Sequence, residues 1–192
     1  TFNDQRINLI TTKNQGASIA RNIGIEKATA TYIALLDGDD TWEIDYLKHI
    51  HNAISKFPDI KIFTTGISQK YDNKIVPVSY NFKQIKLYDV HDFFQSSLDF
   101  HLITSSSVVF DKSIISKTGL FDPSIISGQD TDLWIRFGLH YKILFINKQL
   151  VYYNFDATSL SNTTFNLSKK PKFDNYFNEE KNNLYLKAFL DK

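Results

Sequence analysis

The chain opens with an alternation of short apolar runs and helix-spaced apolar positions. Residues 7–11 form a brief run of β character, closed by the turn-like Lys13-Asn14-Gln15-Gly16. Ser18 is placed to cap a helix whose apolar positions include Ile19, Ile23 and Ile25. Residues 31–36 are almost continuously apolar and run straight into Asp37, the pattern of a strand buried on both faces. Thr41 is suited to cap a helix with Glu43 and Asp45 in its first turn. Ile44, Leu47, Ile50 and Ile54 follow at helical spacing before Pro58. The run over 61–67 reads as the next strand. Strand, helix, strand, helix, strand predicts parallel strands joined by right-handed crossovers.

The middle of the chain is less regular. Asp72-Asn73 marks a turn before an extended run over 75–80, and 91–98 reads as a short helix. A strand over 107–110, a turn over 119–123, a helix over 130–139 and strands over 143–146 and 150–153 complete one α/β domain. The polar stretch over 159–171 reads as loop. Beyond it, Phe173, Tyr176, Phe177, Leu184 and Ala188 can share one face of a terminal helix. The expected organisation is a domain over 1–165 followed by a helical extension over 166–192, with no internal repeat and no low-complexity tract.

Composition narrows the classes of function. With 192 residues, 42% of them hydrophobic, one domain can bury a sizeable core. A net charge of +1 gives no electrostatic pull toward nucleic acid, so no nucleic-acid partner is expected. Zero cysteines remove disulfides, thiolate metal sites and cysteine nucleophiles together, which suits a cytoplasmic protein. No apolar run approaches the roughly 18 residues of a membrane-spanning helix. Peripheral association with the inner face of a membrane stays open. Methionine is absent even from position 1, so a longer natural chain is expected.

The densest chemistry lies in Leu35-Leu36-Asp37-Gly38-Asp39-Asp40. Three carboxylates sit where a buried strand ends, and ligands of open α/β sheets bind outside the carboxyl ends of the strands. Carboxylates this close raise each other's pKa unless a cation or donor groups compensate. A divalent ion held by one or two carboxylates and substrate phosphates is one solution. Solvated turn residues ahead of a helix are the other. An EF-hand is excluded, because Trp42 stands where its loop needs glycine and Lys48 where it needs glutamate. A dinucleotide fingerprint is excluded by the glycine spacing of Asn14-Gln15-Gly16-Ala17-Ser18.

Asn14-Gln15-Gly16-Ala17-Ser18-Ile19-Ala20-Arg21-Asn22-Ile23-Gly24, followed by the strand ending in Asp37-Gly38-Asp39-Asp40, resembles family 2 glycosyltransferases. Gly119-Leu120-Phe121-Asp122 and Gly128-Gln129-Asp130-Thr131-Asp132-Leu133-Trp134-Ile135-Arg136 look like the family's second half. The resemblance extends to about residue 162. It implies a GT-A-type, Rossmann-like α/β fold with a mostly parallel sheet flanked by helices. The family's N-terminal nucleotide-binding strands would precede Thr1.

The resemblance also implies an inverting transfer from a nucleotide-sugar, UDP-linked donor to a glycan or lipid-linked acceptor. In that reading Asp37 binds the donor ribose, Asp39 binds Mn²⁺ or Mg²⁺ bridging the diphosphate, and Asp40 lies beside it on the donor side. Arg21 either contacts the donor or partners the acidic cluster, while Asn22 and Gly24 are packing or turn positions. Asp130 is the catalytic base, although it and Asp132 would also suit an ordinary helix start. Gln129 and Trp134 are acceptor-side candidates, with a core position the alternative for Trp134.

Two departures stand out. Gln129 replaces the family's usual glutamate, and Tyr152-Tyr153 is followed by Asn154-Phe155-Asp156 rather than by arginine and histidine. Asp156 would then take the histidine's place, or that contact is lost. These departures give some support to a competing reading, a non-catalytic nucleotide-sugar or carbohydrate-binding module on the same fold, against which the retention of both Asp39 and Asp130 argues. A nucleotidyltransferase fits less well, because no phosphate-cradling glycine-rich loop is present.

Overall fold

In the computed structural model the apolar runs and amphipathic stretches settle into a mixed α/β arrangement. Residues 4–71, 74–80, 86–97, 102–155, 186, 188 and 189 are described. In chain order the elements are α1 (Ala17–Lys27), β1 (Tyr32–Ala34), β2 (Thr41–Trp42), α2 (Tyr46–Lys56), β3 (Ile62–Tyr71), β4 (Lys74–Pro77), β5 (Tyr88–His91), α3 (Phe93–Ser97), β6 (Val108–Asp111), α4 (Ile115–Thr118), α5 (Gln129–His140) and β7 (Ile143–Asn154).

One sheet runs in the order β1-β6-β3-β7-β2, with β4 added to β3 and β5 added to β7. Only β3 and β7 form a parallel pair among the described strands. β6 lies antiparallel between β1 and β3. It follows that β1, β3 and β7 all run the same way, as the sequence alternation predicts for the first two. The antiparallel strand slipped between them comes from the irregular middle of the chain, where periodicity carried no topological information.

Alternate strand residues feed two cores, because side chains along a strand point to opposite faces. Ile62, Phe110, Ile143 and Phe145 face α5, where Leu133 and Phe137 are fully buried. Phe63, Val109, Leu144 and Ile146 face α2, which contributes Tyr46, Ile50 and Ala53. Each large side chain so buried contributes about 1.5–3 kcal/mol.

Several expectations are corrected locally. Residues 7–11 form no strand, and Ile7, Leu9 and Ile10 are exposed. No described strand lies alongside them, and β propensity without a partner backbone builds no ladder. Ser18 does not cap α1; the N-cap is Gly16, at a φ of 91° that favours glycine. Thr41 is no helix cap either. Thr41 and Trp42 pair with Tyr152 and Val151 of β7, the Trp42 ring stacks on Tyr46 at 4.3 Å, and the helix begins only after Asp45. Of the four apolar positions at helical spacing, Ile44 and Leu47 are exposed.

The two strands expected over 143–153 are one, β7, with its register against β3 shifted around Gly66. A Cβ at Gly66 would stand 3.0 Å from the Lys148 carbonyl oxygen, so the shift needs a residue without one. The turn expected at Asp72-Asn73 and most of 166–192 fall outside the described residues. At the C-terminal end, Leu186 is buried and the Phe189 ring lies 5.7 Å from both Phe93 and Phe94. No helix among the described residues is long and apolar enough to cross a membrane.

Two helical glycines make opposite predictions. A Cβ at Gly138 would lie 2.6 Å from the Phe93 Cβ, where α5 crosses α3, whereas Gly24 in α1 has nothing within 4 Å. Alanine favours a helix over glycine by about 1 kcal/mol, but overpacking costs about 1–3 kcal/mol. In thermal melts Gly24→Ala is expected to raise Tm and Gly138→Ala to lower it.

Candidate functional site

The apolar run over 31–36 carries the chain through β1 to the acidic turn. Leu35 still donates its N–H to the Val108 carbonyl of β6 at 3.4 Å, and the Asp40 N–H then closes the turn on the Asp37 carbonyl at 3.1 Å. The three carboxylates face different surroundings.

Asp37 is half-buried. Its Oδ1 accepts a 2.5 Å bond from Arg21 Nη2 on α1, and its N–H donates to Ser106 Oγ at 3.1 Å. Asp40 is buried, with 7% exposure. Its Oδ2 accepts from the Ser106 hydroxyl at 2.6 Å, and its Oδ1 from the Asn154 N–H at 3.2 Å. Burial pushes the Asp40 carboxyl above its ordinary value, against these two hydrogen bonds, and the neighbouring Asp39 and Asp37 charges add to the rise. Asp39 is exposed, and its carboxylate has no partner among the described residues. Only its backbone carbonyl is engaged, by the Asn154 side-chain amide.

Ser106 thus serves the whole turn. Its hydroxyl joins Asp37 to Asp40, and its carbonyl accepts the Trp42 indole N–H at 2.7 Å. Sequence reading missed both Ser106 and the bracing role of Asn154. The signal available was Ser105-Ser106-Ser107, three small hydroxyls directly ahead of an apolar strand. All three are buried, and buried hydroxyls require partners.

The second acidic region begins α5. Gly128, at a φ of 80°, is its N-cap, and Asp130 lies in the first turn, partly exposed, its Oδ1 accepting the Thr131 N–H at 2.8 Å. Asp132 instead pairs with Arg136 at 2.5 Å, and Arg136 also donates to the Thr118 carbonyl. Trp134 is corrected as an acceptor-side residue. It is 3% exposed and packs edge-on against Phe121, so it presents no ring face to a ligand.

α1 connects the two regions through adjacent residues. Arg21 reaches Asp37 while its guanidinium lies 5.4 Å from the centre of the Phe121 ring. Asn22 clamps the Phe121 backbone in both directions, donating to its carbonyl at 2.8 Å and accepting its N–H at 3.0 Å. Gln129 lines a cleft with Gln15 and Ser18 at the start of α1. Arg21 keeps Nη1 buried without a hydrogen-bond partner.

No group of three or more metal-ligating side chains occurs among the described residues. The donor set fits a different kind of site. One exposed carboxylate, Asp39, beside a second that is partly engaged, Asp37, suits a Mg²⁺ or Mn²⁺ ion that completes its shell with substrate phosphates and water. Asp156 lies outside the described residues.

Residues 1–119 match the family model for glycosyl transferase family 2. An uncharacterized glycosyltransferase of Methanocaldococcus jannaschii is 30% identical over 139 residues, 69% of this chain and 45% of the relative. The structure of S. aureus TarS 1–349 with UDP-GlcNAc superposes with a TM-score of 0.64 at 14% identity, covering 82% of this chain and 44% of that TarS segment. A structure of GalNAc-T7 with UDP, GalNAc and Mn²⁺ gives a TM-score of 0.52 at 15% identity, covering 77% and 32%. These likenesses identify a GT-A-type fold. The chain spans less than half the length of the curated relatives it matches, 45%, 23% and 49% for three of them.

The bracing roles have stability consequences. Ser106→Ala leaves an Asp40 oxygen and the Asp37 N–H without partners and is expected to cost about 1–3 kcal/mol in urea unfolding. Asp40 titrates with the opposite sign to a paired surface acid. Its raised folded-state pKa means that the native fold favours the protonated form, and that this contribution is lost as pH rises through the folded pKa. Asp40→Asn, which removes the buried charge, is therefore expected to raise Tm at pH 7. The gap should close as pH falls below the ordinary aspartate range.

Proposed function

The chain belongs to glycosyl transferase family 2, and from that membership we propose that it is an inverting glycosyltransferase. On this reading it moves a sugar from a UDP-sugar to a hydroxyl of a glycan or a lipid-linked acceptor. The observation that supports the reading most is the acidic turn. It presents one unpaired carboxylate to solvent while the protein holds the other two in place.

Each residue has a role that its surroundings permit. Asp37, oriented by Arg21, meets the donor ribose. Arg21 acts on the donor side through Asp37, the carboxylate it orients, because its Nη1 is buried away from any ligand. Asp39 holds Mn²⁺ or Mg²⁺, which supplies neutralisation of the departing diphosphate when bound. Asp40 acts from beneath, keeping the turn rigid. Asp130 takes the proton from the acceptor hydroxyl as that oxygen attacks the anomeric carbon opposite the leaving diphosphate, and the configuration inverts. Gln129, next to it, faces the sugar-bearing side of the cleft. On this reading the transfer takes place in the cytoplasm, at the inner face of the membrane where the acceptor is lipid-linked.

The test is UDP release from UDP-sugars in the presence of Mn²⁺. Chelation and Asp39→Ala are each expected to abolish metal-dependent turnover. Asp130→Asn is expected to lower kcat by about 10²–10⁴-fold while UDP binding by calorimetry persists. Metal-dependent UDP binding by the wild type with no release from any UDP-sugar would instead support the non-catalytic module.

A further inference from the structure

The end of β7 is tied to the acidic turn and the residues after it at several points. Tyr152 pairs with Thr41 of β2, and its hydroxyl donates to the Glu43 carboxylate. Two residues on, Asn154 meets the turn with two separate donors. Its backbone N–H reaches Asp40 Oδ1 at 3.2 Å, and its side-chain amide donates to the Asp39 carbonyl oxygen. Phe155 anchors the strand end from the other side. Its N–H donates to the Lys70 carbonyl of β3 at 2.9 Å, and its ring stacks on Tyr71 at 5.2 Å.

The two donors of Asn154 act on carboxylates in different situations. Asp40 is buried and its other oxygen is held by Ser106, so it is fixed without the amide. Asp39 is exposed, and among the described residues its only hydrogen bond is the one its carbonyl accepts from Asn154. A carboxylate with no partner of its own can turn about its side-chain bonds, but its reach is set by where the backbone holds its Cα. Outer partners of this kind govern how well a ligating group meets its metal.

The chemistry of the tie also matters. Asn154 stands in the segment that departs from the family's pattern, where arginine is usual. A neutral amide holds the turn without adding positive charge. Asp37 is already offset by Arg21, and a cationic side chain in place of Asn154 would offset Asp39 as well and repel a metal ion. We infer that Asn154 is a positioning residue for the metal. Through the Asp39 backbone it sets where the free carboxylate stands, and so how well the turn takes up a divalent ion together with a nucleotide diphosphate. The inference rests on the glycosyltransferase reading for the identity of that pair.

Asn154→Ala isolates the contact, because it keeps the backbone N–H that serves Asp40 and removes only the donor to Asp39. Calorimetric titration of UDP in Mn²⁺ and in EDTA gives the factor by which the metal tightens nucleotide binding. Asn154→Ala is expected to lower that factor about 10-fold, the low end for partners that orient a metal ligand. Water can replace the amide at an exposed carbonyl, so Tm is expected to stay within about 3 °C and metal-free UDP affinity within about twofold. In an Asp39→Ala background the same change is expected to have no further effect, since both act through one contact.

An unchanged factor in Asn154→Ala overturns the inference, and so does an equal loss of metal-free UDP affinity or a further loss in the Asp39→Ala background. If the wild type turns over a UDP-sugar but binds UDP no better with Mn²⁺, the inference falls and the enzymatic reading stands. If no UDP-sugar is turned over yet the factor drops in Asn154→Ala, the inference stands and the enzymatic reading falls.

Discussion

A buried carboxylate that no cation neutralises governs this structure. Asp40 is answered only by two neutral donors, the Ser106 hydroxyl and the Asn154 N–H. An ionised group moved out of water costs several kcal/mol unless its oxygens are engaged, so the fold must deliver those donors to one place. They lie 66 and 114 residues along the chain from Asp40. Meeting that demand draws the entry to β6 and the end of β7 against the turn that follows β1. The acidic turn is therefore fixed by two segments remote from it in sequence.

A second coupling works through α1. Arg21 and Asn22 are adjacent, yet one engages the acidic turn and the other the backbone of the loop that leads toward α5. A shift of α1 would disturb both attachments together. The Phe121 ring adds a nonpolar component, since it packs against Trp134 on one side while the Arg21 guanidinium approaches it. The buried tryptophan thereby contributes to the candidate site through packing, without touching a ligand. On the proposed reading, donor-side and acceptor-side elements are thus joined by a single helix, and their relative placement is as rigid as that helix's attachments.

How much of this could be read from the sequence depended on whether the determining interaction was local. The α1 and β3 elements followed from their apolar spacing; β1 was located by its apolar run, but it is three residues long and not buried on both faces, since Ala34 and Leu36 are exposed. Asp37, Asp39 and Asp130 were nameable from motif and resemblance. What failed were judgements that depended on distant partners. Thr41 carries an ordinary helix-cap signature, but Trp42 is claimed by β7 and stacks on Tyr46, which delays the helix. Ser106 has no motif of its own, and its importance exists only once Asp40 and Asp37 arrive beside it. The direction of β6 was illegible for the same reason: strand pairing across the irregular middle leaves no periodic trace.

The division of labour among the three carboxylates bears on how a cation would be held. Had all of them faced outward, mutual repulsion would have favoured a resident ion, and the turn would have depended on that ion for its shape. Instead, Arg21 offsets Asp37, and Asp40 is satisfied internally, so the turn keeps its geometry through the protein's own hydrogen bonds. Only Asp39 is left wholly unengaged by its side chain. One carboxylate is a weak site for Mg²⁺ or Mn²⁺ by itself, and such ions commonly complete their shells with substrate phosphates. On the proposed reading, the ion and the diphosphate therefore bind as one unit to a turn that is already formed. The cation's contribution is then directed to the charge that develops on the leaving group and not to ordering the protein.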